Sequence, residues 1–289
     1  MSLLDRWHRL LREQSPVAIA TVIEGPGNSL GGKLLVTPDD HEGGAGNGDL
    51  DRAIVEAARG LLEGGKTETR RFGPRGQRRM EDVAVFIQSF APPPKMYVFG
   101  AIDFASAVAR IGKFLGYRVI VCDARAVFAT RERFPSADEV VVAWPDEFLK
   151  TAEVDGRSVI CVLTHDPKFD VPVLKAALET DAGYIGAMGS RRTHNNRTAR
   201  LREEGVTEEQ LGRVSSPIGL DIGSRTPEET AVAIAAEIIA FRTGHTGGRL
   251  AERSGPIHVP DPDVADSPDA EDAKRDAGRK AAGATRESR

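Results

Sequence analysis

Five stretches of the chain set glycine or strand ends beside charged or hydroxyl side chains, the residue types that hold anions or move protons. In "MYVFGAIDFASAVARIGKFLGYRVIVCDAR" (Met96 to Arg125) an apolar run meets glycine, then a helical pattern, a second apolar run and an acid. That is the layout of a dinucleotide-binding βαβ unit, whose G-x-G-x-x-G turn brings a pyrophosphate against backbone N–H groups at a helix N-terminus. Gly100 and Ala101 keep the tight turn, but Ile102 stands where the second glycine would let the phosphate approach, and Ala105 takes the third place. Asp103 suits the positive end of the helix and repels a phosphate there. Asp123, 23 residues after Gly100, sits where an acid binds a ribose 2′-hydroxyl, and Arg125 offers a partner for a 2′-phosphate. The pattern predicts the fold, with ordinary NAD(P) binding disfavoured by Ile102.

"CVLTHDPKFD" (Cys161 to Asp170) ends an apolar run in Thr164, His165 and Asp166. Loops after the carboxyl ends of parallel strands form the binding crevice, where a His–Asp pair can orient a substrate or move a proton. The alternative is that Asp166 caps the next helix and His165 is a solvated loop residue. "GYIGAMGSRRTHNNRTARL" (Gly183 to Leu201) is the most ligand-like segment. A strand containing Gly186 ends at Gly189, Ser190 is placed to cap a helix, and Arg191 and Arg192 follow in its first turn. Arginine there opposes the helix dipole unless an anion is bound. The alternative is a solvated basic face continued by Arg197, Arg200 and Arg202, with His194 on the surface. "SSPIGLDIGSRTPEE" (Ser215 to Glu229) packs Pro217, Gly219, Asp221 and Gly223 into either a ligand-approaching backbone or a tight loop closing the sheet. "EGPGNSLGGK" (Glu24 to Lys33) is an anion nest or a flexible hairpin, and lacks Walker A spacing.

These residues need strands and helices to place them. Ser2 predicts a capped helix with Leu3, Leu4, Trp7, Leu10 and Leu11 on one stripe. "PVAIATVIEG" and "KLLVTP" read as strands, and "DLDRAIVEAARGLLEGG" as a helix from Asp49 to the glycines. "TETRRFGPRGQRRMEDVAVFIQSF" reads as a hairpin, and "HEGGAGNGD" as a mobile loop. "APPPK" (Ala91 to Lys95) is the boundary, because consecutive prolines continue neither helix nor central strand. Strands are expected near 97–100, 118–123, 139–144, 158–164 and 183–188 with helical stretches between them, which means a mostly parallel sheet with right-handed crossovers. Thr226, Pro227 and Glu229 start a last helix, with Ala231, Ile234, Ala235, Ile238 and Ile239 as its stripe and Gly244 as its end. The fold class is therefore α/β: a small N-terminal α/β domain at 1–90, a Pro-rich linker at 91–95, a Rossmann-like domain at 96–243, and a disordered or loosely attached tail at 244–289.

Of 289 residues, 40% are apolar and 28% charged, an ordinary globular composition. A net charge of −4 provides no electrostatic footprint for nucleic acid. No run of about 18 apolar residues predicts a membrane span, and charges throughout "MSLLDRWHRLLREQ" leave no secretory signal, so a cytoplasmic location is expected. Cys122 and Cys161 both sit in apolar runs, where buried thiols are expected; they are too few for a disulfide framework or a zinc site.

Several long motifs in one order resemble the XdhC/CoxI family, accessory proteins of xanthine dehydrogenase and related molybdoenzymes. They are "YIGAMGSRRTHNNRTARL", "SSPIGLDIGSRTPEETAVAIAAEIIAFRTG", "VIVCDARAVFATRERFPSADEVV" and "VLTHDPKFDVPVLKAAL". The resemblance covers about residues 1 to 243, tightly from 96 onward. It implies an N-terminal domain joined to a Rossmann-like domain, usually as a homodimer. It further implies a cofactor carrier, with no catalytic residue of its own, that binds molybdenum cofactor, protects it during sulfuration and hands it to a xanthine dehydrogenase-type molybdoenzyme. A cysteine desulfurase is a second implied partner. The pterin cofactor carries a phosphate or a dinucleotide, which agrees with Gly189, Ser190, Arg191 and Arg192, with Gly219 and Asp221 closing from below. The chain departs from the family in reading "GAID" for the common "GAGH" and in placing Ser215 and Ser216 where a histidine is common. Its "GPGNSLGGKLL" keeps Lys33 but lacks the usual arginine, and no cysteine lies near that loop. Two other classes stay open: an NAD(P)-dependent oxidoreductase with a degenerate fingerprint, and a ligand-free regulatory or scaffold protein for a partner enzyme.

Overall fold

A computed structural model describes residues 2–77, 80, 82–164 and 166–252. Ser2 caps α1 (Leu3–Arg12) through reciprocal bonds with Asp5, 3.1 and 3.0 Å long. Trp7 is buried with Val17 and Leu35, and Leu3, Leu10 and Leu11 pack beside them. Leu4 is exposed, contrary to expectation, because one step along a helix turns the side chain by about 100° and Leu3 already takes the inward direction.

Next come β1 (Val17–Glu24), β2 (Lys33–Val36), β3 (His41–Gly44), α2 (Gly48–Gly64), β4 (Glu68–Phe72) and β5 (Val83–Phe90). The strands form an antiparallel sheet in the order β3-β2-β1-β5-β4. Alternation along β1 sends Ala18, Ala20 and Val22 to the α2 face, and Val17 and Ile19 to the α1 face. Strand β3 corrects the expectation of a mobile loop over 41–49. Its glycines are read from sequence as loop residues, yet Gly43 passes so close to the Lys33 carbonyl that a Cβ would lie 2.2 Å from the oxygen. Arg6 pairs with Asp40 and Glu42 at 3.1 and 2.8 Å and ties this edge to α1.

The proline stretch Ala91–Pro94 separates β5 from β6 (Lys95–Phe99), which belongs to a second sheet. The chain continues through α3 (Asp103–Phe114), β7 (Arg118–Asp123), β8 (Glu139–Val142), α4 (Pro145–Leu149), β9 (Val159–Val162), α5 (Pro167–Leu178) and β10 (Tyr184–Ala187). It ends with α6 (Arg191–Glu203), α7 (Glu208–Leu211), β11 (Val214–Ser215) and α8 (Pro227–Thr243). The sheet is parallel, in the order β11-β10-β9-β6-β7-β8. Met96 and Val98 face α3 and α8, while Tyr97 and Phe99 face the α5 side, so apolar residues fill both faces and a three-layer core results. No helix forms over 124–138, where a helical crossover is expected. Successive turns close from Arg125 to Ala137, but Pro135 has no N–H to carry the series on.

Thr226 and Glu229 form the expected capping box at α8, and Gly244 closes it in the left-handed conformation. Ala231, Ile234, Ala235 and Ile238 are buried, whereas Ile239 is exposed at the edge of the stripe. The described residues up to Gly247 form one compact unit; a second begins at Gly248, of which 248–252 are described, with a 3-10 turn at Leu250–Glu252. The expected tail lies, from residue 253 on, outside the described residues. Among the described residues no helix is long and apolar enough to cross a membrane.

Candidate functional site

The chain runs outward through β6, β7 and β8 on one side of the second sheet and through β9, β10 and β11 on the other. Strand order thus reverses between β6 and β9, and the crevice at such a switch point, outside the carboxyl ends, is where open α/β sheets bind ligands. Backbone bonds beyond the strands hold the loops there together: Leu163 N–H donates to the Phe99 carbonyl and Met188 N–H to the Val162 carbonyl, both at 2.8 Å. At the switch point Gly100 has φ +107°, and a Cβ on it would stand 2.7 Å from Thr164 Cγ2 and 3.0 Å from its backbone nitrogen. Thr164 is buried, and among the described residues its Oγ1 has no hydrogen-bond partner.

The loop after β6 is closed on itself. The N–H of Gly100 donates to the Cys122 carbonyl at 3.0 Å, that of Ala101 to Asp123 Oδ2 at 2.8 Å, and that of Ile102 to the Gly100 carbonyl at 3.0 Å. Asp123 also accepts from the Arg125 N–H and Nε, each at 2.9 Å, and from Arg125 Nη2 at 2.8 Å. Burial alone would raise the Asp123 carboxyl, but these bonds from Arg125 and Ala101 hold it below the ordinary carboxylate range. The same contact raises the Arg125 guanidinium above its ordinary value. Arg133 closes the loop from outside, donating to the Ala101 carbonyl at 3.1 Å and to Asp103 at 3.2 Å. The acid and the N–H groups of Gly100, Ala101 and Ile102 are thus occupied by the chain itself.

The loop after β10 is the opposite. Ser190 caps α6, its Oγ accepting from Thr193 N–H at 3.2 Å. The N–H groups of Gly189, Ser190, Arg191 and Arg192 make no hydrogen bond among the described residues. Arg191 and Arg192 are exposed and form no ion pair there. Free N–H groups at a helix N-terminus with two unpaired guanidinium groups are an arrangement suited to phosphate.

Arg197 corrects the expectation of a wholly solvated basic face. It is buried, donating from Nη2 to Asp170 and to the Met188 carbonyl, both at 2.7 Å, and from Nη1 to Ser216 Oγ at 3.3 Å. It thereby holds the loop leading to Gly189 from beneath. The readable signal was its spacing of four residues before the buried Leu201, which puts both on one helix face. Arg202 instead pairs with Glu208 at 2.6 Å. Arg133, the other missed residue, acts across loops and carries no periodic signal.

The remaining candidates divide. Asp166 caps α5, accepting from Lys168 N–H at 3.0 Å, while His165 lies outside the described residues. Gly186 is buried, and a Cβ there would stand 2.4 Å from Ile218 Cδ1, so its smallness serves packing. Gly219 N–H already donates to Glu237 Oε2 at 2.7 Å, and among the described residues no bond joins it to the loop after β10. Asp221 is exposed and makes no hydrogen bond among the described residues. The Glu24–Lys33 loop is a hairpin connection in which Ser29 Oγ donates to the Pro26 carbonyl at 2.9 Å and Lys33 Nζ to Thr21 at 3.0 Å.

A family model described as the XdhC Rossmann domain matches residues 96–238, and one described as the XdhC and CoxI family matches residues 10–73. The chain belongs to the XdhC and CoxI family. It is 34% identical over 158 residues to a probable xanthine dehydrogenase subunit of Bacillus subtilis, covering 55% of this chain and 46% of that one. It is 27% identical over 157 residues to the molybdenum cofactor insertion chaperone PaoD of Escherichia coli, covering 54% of this chain and 43% of PaoD. The chain thus spans about half the length of these curated relatives. A crystal structure of a protein described as a xanthine dehydrogenase from Bacillus halodurans shares the fold, with a TM-score of 0.50 at 20% identity over 83% of this chain and 94% of that one.

In this member of the XdhC and CoxI family both cysteines are buried and free. Burial pushes each thiol up to about 12, with the Asp123 charge adding to the effect at Cys122. Both therefore stay protonated at neutral pH and supply no thiolate. Among the described residues no group of three or more His, Cys, Asp or Glu side chains is placed to hold a metal ion.

Proposed function

We propose that this protein binds molybdenum cofactor in the crevice and supports maturation of a xanthine dehydrogenase-type molybdoenzyme. One observation carries this reading: at the loop next to the switch point, the N–H groups from Gly189 to Arg192 and the two arginines there have no partner among the described residues. The names of the Bacillus subtilis and Escherichia coli relatives support the client and the cofactor. The residues present fit the phosphate end of a pterin cofactor. Ser190, Arg191 and Arg192 would hold the phosphate, and Thr164 Oγ1, which has no partner among the described residues, offers a further contact at the crevice floor. When bound, the cofactor would supply the molybdenum centre that the client enzyme uses. This chain's residues would bind it and orient it by its anionic end.

A homodimer, a cysteine desulfurase partner, a cytoplasmic location and the division into domains at 1–90 and 96–243 belong to the same proposal. The nicotinamide reading is disfavoured because the loop after β6 has already used its N–H groups and Asp123 internally. Native mass spectrometry of freshly purified protein, with metal analysis, tests the proposal. The wild type is expected to carry a pterin cofactor with molybdenum. The double substitution Arg191→Ala, Arg192→Ala should lose it at least tenfold with an unchanged thermal midpoint. Wild type with no pterin, before and after incubation with released cofactor, would sink the reading.

A further inference from the structure

An open sheet ends in edge strands whose outward N–H and C=O groups attract another chain unless charge, shortness or a covering element blocks them. Three edges in this fold are blocked. Strand β3 ends in glycines and carries Glu42, which Arg6 of α1 holds together with Asp40. Strand β4 presents Glu68, Thr69, Arg70 and Arg71. Strand β11 has two residues. Strand β8 is different: after Glu139 it runs Val140, Val141, Val142, residues of high strand preference with no charge or proline among them. Strand β7 pairs with one side of it, and among the described residues no strand pairs with the other. Val140 packs partly on the core under α3 and Val141 partly on the core under α5, while Val142 is 52% exposed. In the inner strands of the same sheet Val98, Val121 and Val162 are fully covered.

One bond shows which groups face outward. Asp138 N–H donates to the Val119 carbonyl at 2.8 Å, at the start of the β7 pairing. Successive residues of a strand turn their N–H groups to opposite sides, so those of Val140 and Val142 point to β7, and those of Glu139 and Val141 to the open edge. A second copy of this chain fits that edge residue for residue. Two β8 strands related by a two-fold axis at Val141 run antiparallel, with Val141 facing its own copy and Val140 facing Val142. Opposite residues of an antiparallel pair share a face of the sheet, so valine meets valine on both faces. Glu139 then faces Ala143, and no like charges are opposed. Such a pairing uses one edge twice and closes at two copies. It turns the carboxyl ends of the two sheets in opposite directions, so both crevices stay open.

We infer that β8 is the edge through which two copies of this chain join their parallel sheets, centred on Val141. This inference rests on the homodimer in the proposal above and gives it an interface. Four residues bury less than the roughly 800 Å² per partner of a standard interface, so dissociation in the micromolar range is expected. Sedimentation equilibrium of the full chain should show the mass rising from monomer to dimer between micromolar and near-millimolar protein. Val142→Lys, counted twice in the pair, should weaken association about tenfold or more with an unchanged circular dichroism spectrum. Val141→Cys should become a covalent dimer under mild oxidation, because the Cα atoms of a hydrogen-bonded pair lie about 5.5 Å apart, within disulfide range. Both native cysteines are buried and should give no such product. Val142→Cys, whose own copy lies diagonally at about 7–8 Å, should cross-link about fivefold more slowly or less. A dimer that ignores Val142→Lys, or that cross-links Val142→Cys as fast as Val141→Cys, would overturn this interface and leave the homodimer standing. A chain that stays monomeric at near-millimolar concentration would overturn both. The cofactor reading is tested apart, by mass spectrometry, and stands or falls on that result.

Discussion

Arg191 and Arg197 lie on the same helix six residues apart and have opposite surroundings. Arg191 is exposed with no partner among the described residues, while Arg197 is buried against Asp170, Met188 and Ser216. Removing one partner of a buried pair costs more than the pair itself contributes, because the remaining charge loses its compensation. Arg197→Ala should therefore lower stability by about 3–5 kcal/mol in urea denaturation, and Arg191→Ala by less than about 0.5 kcal/mol. A small effect of Arg197→Ala would mean that the Arg197–Asp170 pair contributes little to the fold. Read from sequence, Arg197 belonged to a solvated basic face; its spacing from Leu201 was a local signal of burial, but nothing local pointed to Asp170, 27 residues earlier. Asp123 shows the same limit. Its position matched a ribose-binding acid, and only the folded loop shows that Arg125 and Ala101 already use it.

Among elements, most starts and ends follow from short-range chemistry. Ser2, Ser190, Thr207 and Thr226 all cap helices by accepting a backbone N–H, and Gly65 and Gly244 close α2 and α8 in the left-handed region. The misreadings occur where partners are distant. Strand β3 exists because β2 pairs with it, although its own residues are poor strand formers. The turn between β6 and α3 is another long-range product, since Gly100 must pass Thr164 from a different strand. Gly100→Ala places a methyl group 2.7 Å from Thr164 Cγ2 at φ +107°, and should lower stability by about 1–3 kcal/mol, seen as a lower thermal midpoint. Gly60→Ala, mid-helix in α2 with nothing within 4 Å, should instead raise it by about 0.5–1 kcal/mol. Equal effects from the two would refute the close-approach argument.

For the whole molecule, charge pairing sets how stability follows pH. Hydrogen bonds from Arg125 and Ala101 outweigh burial and keep the Asp123 carboxyl below its ordinary value; Lys113 and the Val119 N–H do the same for Asp138. A carboxyl whose folded value lies below the unfolded one, about 3.9 for Asp, stabilises the fold above that value. That stabilisation is lost as pH falls through the folded value. The urea midpoint should therefore change little from about pH 7 to 5 and drop below about pH 4. Asp123→Asn should flatten that acid limb while lowering stability at neutral pH. An unchanged acid limb in Asp123→Asn would remove Asp123 from this account. Fully exposed carboxylates such as Glu208 and Glu229, also lowered, contribute little because solvent and salt screen them.

The sequence by itself determined the α/β class, the alternation of the second half, the helix caps and the loops at the sheet's carboxyl edge. Each of these depends on residues within a few positions of one another. Which of those loops can take a ligand was decided by tertiary structure alone. The loop after β6 and the loop after β10 look alike as strings of glycine and polar residues. In the folded chain one spends its N–H groups on Asp123 and Cys122, and the other, among the described residues, leaves them free beside two arginines. The open edge of β8 has the same origin, because a strand becomes an edge only when the rest of the sheet has paired. A hydrogen bond needs its partner's position, and that position is set by chain pairing dozens of residues away.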